Sequence, residues 1–381
     1  MPSPQINLAV NGERVEPTLL DQLIRLEVRE GDSEATLAAL RFRLVQQPSG
    51  AFSPLDDDVF VAGAPLAIDL AAPGGTVGRM FQGYVTHLRP HFESIESNCY
   101  LEILGMDAAV LLDAAERTAS YPDATDSEAV EEVFGRYNIT AVTQATAARH
   151  RQDHHMLTQR CSDWSFARKL ARRNGYCCYF EYDGVADEVV GHFRPRDLGA
   201  DPQADLTILR PPESLRWIDL QLVCTGPVRV VGAAIDPIRK RVVRSTGDPE
   251  LAALGDDRLP ESIESAWTEA GSDPVNTLLR DPWPDDAAIE AEGTAATDLA
   301  RFVIEARGEV NCDLYRGLLR SRRPVLVKGI GKLFAGTYYV RSVRTTVDAG
   351  ILSQTFIAER NATGLTGQEE FGRTAEEVPP S

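Results

Sequence analysis

Two hairpins in this chain are built to the same plan. Phe81-Gln82-Gly83 runs into an alternating strand, a polar turn over 93–98 and a second strand over Tyr100–Leu104. Phe334-Ala335-Gly336 runs into TYYVRSVRTTV, a turn at Asp348–Gly350 and then ILSQTFIAER. In each copy the glycine admits a bend or a close backbone approach. The alternation that follows turns one face inward, because successive side chains of a strand point to opposite sides. Val85 and Val340 are structural positions of the two copies. A strand-rich unit used twice constrains the fold more than any single motif, and a duplicated β-barrel is the expectation.

The flanking sequence agrees with that expectation. Short apolar stretches at 6–10, 24–28, 40–45, 59–61 and 66–70 alternate with Gly, Pro and Asn punctuation, starting with the Asn11-Gly12 turn dipeptide. Strand character returns over 201–245, notably in VRVVGAAIDP, and again after a helical EAEGTAATDLARFVIEA (290–306). Between the two strand-rich parts the pattern changes. Thr125 stands three residues before Glu128, which is capping-box spacing, and Val130, Val133 and Phe134 follow at helical intervals. In CSDWSFARKLARRNGYCCYFEYDG, Ser162 is an N-cap, and Trp164, Phe166, Ala167, Leu170 and Ala171 form one broad stripe. Asn174-Gly175 closes the helix, and a strand over Tyr176–Tyr182 ends in an Asp183-Gly184 turn. Residues 246–290 are rich in Asp, Glu, Pro, Ser and Gly and read as a long exposed insertion.

Few kinds of chemistry survive inspection. The six cysteines are scattered with no C-x-x-C, which argues for reduced thiols. Cys177 and Cys178 are adjacent on a strand and point to opposite faces, so only one is expected in a core. His150, His154 and His155 lie near Cys161, but the metalloprotease pattern fails because no glutamate follows the first histidine. No G-x-S-x-G and no phosphate-binding loop occurs, and KGIGK at 328–332 reads as a tight turn between strands. The formal net charge of −18 disfavours whole-surface attraction to nucleic acid or anionic membrane. If the chain lines a channel, that acidity would let anionic cargo slide. No stretch of 18 apolar residues and no basic-then-apolar leader is visible in the sequence. Neither cofactor nor metal is expected.

Four segments in order carry a family resemblance: MFQGYVTHLRPHF with YLEILGMDAAVLL, LTQRCSDWSFARKLARRNGYCCYF, VRVVGAAIDPIRKRVV, and GKLFAGTYYVRSVRTTVDAGILSQTFIAERNA. Together they resemble the phage late control D proteins, the baseplate hubs of contractile tails, and the N-terminal part of VgrG spike proteins. Cys161 departs from the family's acidic or polar residue, and Arg344-Thr345 stands where a histidine is common.

The resemblance implies an α+β, mostly β fold, with two similar β-barrel tube domains and an intervening α/β domain. The expected boundaries are 1–115, 116–200 and 201–365, with the acidic insertion near 246–290 and a tail over 366–381. It also implies a non-enzymatic homotrimer, assembled in the cytoplasm into the baseplate of a phage tail or injection particle. Such a trimer adapts a hexameric inner tube to a trimeric spike. The implied partners are further copies of the chain, the tube protein, a separate spike protein and baseplate or LysM-type adaptors, without specific nucleic acid or stable membrane insertion. Phe81, Gly83, Val85, Trp164, Phe166, Leu170, Gly175, Phe334, Gly336 and Val340 are the structural positions singled out. The rival readings are a baseplate-associated cell-wall glycan hydrolase and a tube or distal-tail protein of another tail type.

Overall fold

A computed structural model describes residues 3–365 and 367, apart from 154–155, 227, 237–238 and 273–285. The chain opens with β1 (Gln5–Val10), β2 (Leu23–Gly31), β3 (Leu37–Arg43), β4 (Pro65–Ala71), β5 (Gly78–His91) and β6 (Tyr100–Met106). The middle holds helix α1 (Asp126–Gly135), β7 (Thr140–Thr143), α2 (Asp163–Arg173), β8 (Tyr176–Asp183) and β9 (Glu188–Pro195). Then come β10 (Gln203–Thr207), β11 (Leu215–Leu222), α3 (Leu259–Glu269), α4 (Asp286–Ala300), β12 (Ile304–Val310), β13 (Pro324–Lys328), β14 (Gly336–Asp348) and β15 (Ile351–Arg360). The fold is mostly β. No described helix is long and apolar enough to cross a membrane.

The duplication is written in the strand order. The first part runs β4-β5-β6-β3-β2 and the second β13-β14-β15-β12-β11, so corresponding strands appear in the same sequence and the same spatial order. The match reaches single residues. Leu88, Ile103, Leu40 and Leu26 lie side by side across β5, β6, β3 and β2. Val340, Ala358, Ala306 and Leu220 do the same across β14, β15, β12 and β11.

The two units do not close into separate barrels, which corrects that part of the expectation. β2 pairs with β14 (Arg25 opposite Asp348, Gly31 opposite Ser342) and fuses both units into one 13-stranded sheet. Among the described residues β11 has one partner, and beyond β1 lies only the two-residue strand Glu13–Arg14, so the ladder stays open. One apolar core runs through both units, with Leu26, Phe42, Ile103, Ile304, Val325 and Val340 fully buried. A strand edge committed to the sister unit cannot also close its own barrel.

The middle segment has a second core. Ser162 caps α2, its hydroxyl accepting from the Ser165 N–H at 3.2 Å, and Thr125 forms the reciprocal capping box with Glu128. Trp164, Phe166 and Leu170 are buried against Phe134, Phe180 and Phe193. Both Cys177 and Cys178 are buried, against the expectation of one. Cys178 faces this core, while Cys177 faces the large sheet with its sulfur 3.9 Å from the Tyr339 hydroxyl. β8 is therefore covered on both sides.

Other expectations shift locally. Residues 59–61 form no strand, although Phe60 is buried. The helix expected over 290–306 ends at Ala300, because Ile304 starts β12 between β11 and β15. A short helix, Gly331–Phe334, begins inside KGIGK, against the expectation of a tight turn alone. The acidic insertion is exposed only in part: α3 lies within it, and Ile263 and Leu254 are buried. His154, His155, part of the insertion and nearly all of the tail lie outside the described residues.

Candidate assembly interface

The singled-out residues form scaffold rather than contact surface. Phe81, Val85 and Val340 are buried in the sheet's core, Phe334 is half-buried, and Trp164, Phe166 and Leu170 lie in the middle core. Gly175 ends α2 and packs against Ala295 of α4. The two hairpin glycines are required for different reasons. A Cβ on Gly83 would come within 2.2 Å of the Met106 carbonyl oxygen. Gly336 has φ +140°, and its Cβ would fall 2.3 Å from the guanidinium of Arg360. That guanidinium is fully buried and donates to the carbonyls of Leu254, Ala335 and Gly364.

The sheet's second face is open and charged. Strand alternation sends Leu26 and Val28 inward and Arg25, Glu27 and Arg29 outward. Glu27 is the hub of this face, held by Arg29, by Arg25 at 3.0 Å and by Arg344 from β14 at 3.6 Å. Burial alone would raise its carboxyl; the arginine hydrogen bonds and charges outweigh burial and hold it below the ordinary carboxylate value. Arg41 and Arg89 flank Glu102, and Arg307 and Arg341 flank Glu305. Each of these carboxylates is matched by guanidinium groups. A depression of about 420 Å³ lies on the same face, beside Trp217, Leu37 and Ile357.

Several sheet flanks carry no further strand among the described residues, and two of them are the counterparts of the β2 and β14 flanks that pair with each other. The first is the outer edge of β11. The Val223 N–H donates to Val303 O at 2.8 Å, so by alternation the N–H groups of Ile218, Leu220 and Leu222 face outward. The second is the far half of β5. β4 covers β5 from Gly78 to Tyr84, and the Val85 N–H still reaches Ala64 O. From His87 to His91 only β6 is paired. Pro90 sits there, where a missing N–H is tolerated at an open flank. Beyond it the hairpin tip exposes Phe92 and Ile95.

Buried ion pairs join the middle segment to the sheet. Arg196 binds Asp32 at 2.8 Å and Glu359 at 2.9 Å. A further pair, Arg320 with Glu30 at 2.7 Å, links the loop before β13 to β2 of the other unit. Glu181 of β8 faces Arg322 and Arg323; burial pushes its carboxyl up, and the arginine charges reverse this to about 2. Burial lowers neighbouring His192 to about 4, despite Glu181. Asp107 is raised to about 6 by burial, against N–H donation from Thr36 and Ala109. A cavity of about 30 Å³, large enough for a water molecule, sits beside Arg322. Sequence reasoning missed this network, although Arg320, Arg322 and Arg323 in RSRR were its visible signal. No group of three or more metal-ligating side chains occurs among the described residues.

The model of the Alg8 N-terminal domain family matches residues 3–189. No curated protein matches the chain. Among solved structures, a tail protein from Neisseria meningitidis aligns with a TM-score of 0.63 at 11% identity, covering 94% of this chain and 97% of the other. The 43 kDa tail protein of prophage MuSo2 from Shewanella oneidensis gives 0.62 at 11% identity, covering 94% and 99%. A type VI secretion component from E. coli, described as structurally similar to T4 bacteriophage tail proteins, gives 0.55 at 14% identity, covering 98% and 80%. The chain has the fold of these tail and secretion-system proteins.

Proposed function

We propose that the chain is a structural, non-enzymatic hub subunit of a contractile tail or injection system. Three copies form a ring that adapts a hexameric inner tube to a separate trimeric spike. The carrying observation is the pairing of β2 with β14. Within one chain, the edge strand of the first unit bonds to the free half of the second unit's long strand. The corresponding edge strand of the second unit is β11, and the corresponding long strand is β5. Among the described residues both corresponding flanks are unpaired, so the contact made once inside the chain is available once more between chains. Repetition head to tail closes a ring when the rotation permits, and three duplicated chains give six near-equivalent units.

In this reading each five-strand unit is one tube-type domain within 1–115 or 201–365, and 116–200 is the middle domain. Closure comes from the ring instead of from a barrel within one chain. The charge-paired open face then faces the channel or the neighbouring component. The likeness to tail-protein folds supports the reading.

The register is testable. Arg344 lies opposite Arg29 within the chain. Transferred through the residue correspondences, His91 of one copy lies opposite Val223 of the next. In a Cys224→Ser background, His91→Cys with Val223→Cys should give covalent dimers and trimers on mild oxidation, and mass photometry of the parent should show a trimer. A hexamer would favour a tube or distal-tail protein. Assembly without cross-linking would overturn the register, and glycan cleavage abolished by a carboxylate substitution would overturn the non-enzymatic reading.

A further inference from the structure

We infer that the cleft between α2, the β2–β3 turn and the end of α4 docks an extended acidic segment of a partner protein. Helix α2 spends one face on the middle core, which leaves Ser165, Arg168, Lys169 and Arg172 exposed. Arg172 gains from the negative end of the helix dipole, so its position is explained in part by the helix itself. Arg168 and Lys169 have no such explanation. Among the described residues none of the three cations has an acidic partner; Arg168 lies 5.7 Å from the Trp164 ring centroid.

These cations border a cleft of about 450 Å³, with Leu299, 43% exposed, at its other side. Among the described residues the one carboxylate in the lining is Asp32, already bound to Arg196 at 2.8 Å. The cleft therefore presents three uncompensated positive charges and one apolar wall, in a chain with a net charge of −18.

Spacing selects the ligand. Arg168 and Arg172 are one helical turn apart, about 6 Å. On an extended strand, alternate residues point the same way and stand about 6.7 Å apart. Carboxylates at alternate positions would reach both arginines, and the intervening apolar residues would face Leu299. A nucleic acid fits less well, because the acidic surface outside the cleft repels a continuous phosphate backbone. This inference stands independently of the ring.

The test uses the full chain and a fluorescein-labelled EVEVE peptide, with KVKVK as the control. EVEVE should bind saturably and weaken at least about tenfold between about 50 and about 300 mM salt. Arg168→Glu with Arg172→Glu should lower affinity about tenfold or more, while Arg160→Glu, at an exposed arginine of the strand Leu157–Ser162 before α2, leaves it unchanged. Leu299→Ala should weaken EVEVE binding but not that of an ESESE peptide. Melting curves matching the parent show that the charge variants are folded. Unchanged binding in the double variant overturns the inference. So does a single-stranded oligonucleotide that displaces the peptide at equal or lower concentration, because the cleft is then a general polyanion surface.

Discussion

Gly336 and His192 show how a single position is constrained by atoms far along the chain. Gly336 combines a backbone conformation disfavoured for other residues with a guanidinium where its Cβ would be. Gly336→Ala should cost about 2–3 kcal/mol in urea unfolding; a loss below about 0.5 kcal/mol would mean that Arg360 moves aside freely. His192 stacks on Tyr179 with ring centroids 4.6 Å apart, and burial disfavours its charged form. Its folded pKa, about 4, lies below the unfolded value of about 6.5. Between those values the unfolded chain binds more protons, so stability rises with pH. His192→Phe keeps a ring and removes the proton site. Relative to this variant, the parent should lose up to about 3 kcal/mol as pH falls from about 6.5 to about 4. A pH-independent difference would show that the imidazole is solvated.

At the scale of elements, the helix caps are local devices with local costs. Ser162→Ala removes the acceptor for the Ser165 N–H and the hydroxyl's bond to Asp113. It should destabilise the protein by about 1–2 kcal/mol by chemical denaturation. Trp164→Ala acts on packing instead, since the indole lies 5.6 Å from Phe180 by ring centroids within the middle core. A loss of about 3–5 kcal/mol is expected. If the two substitutions cost the same, α2 is held by its cap as much as by its buried face.

For the whole molecule, the shared sheet predicts shared cooperativity. β2 and β14 belong to different units but one ladder, so residues 1–115 expressed alone would expose a long apolar face and an unpaired edge. That fragment should aggregate or remain unfolded, whereas the full chain should unfold both units in one calorimetric transition. A soluble, cooperatively melting fragment would show that each unit is complete by itself. Arg196 ties the middle segment to the sheet through two carboxylates. Arg196→Met leaves Asp32 buried without its cation and Glu359 with Arg341 alone, and should cost about 3–5 kcal/mol.

What could be read from the sequence was what depends on neighbours a few residues away. The two caps, the Asn174-Gly175 stop, the strand at Tyr176 and the inward faces of both hairpins follow from hydrogen bonding and periodicity along a short stretch. The twinned F-x-G hairpins also pointed to a duplicated unit. The tertiary structure decided the rest. Period-two alternation says which face is buried but not which strand lies alongside, so the pairing of Arg29 with Arg344 left no local trace. One core or two, an open ladder or closed barrels, the burial of both Cys177 and Cys178, and which arginines are neutralised all depend on residues brought together from hundreds of positions apart. A guanidinium has the same chemistry at Arg172 and Arg196; only the fold leaves the first facing a cleft and gives the second two buried carboxylates.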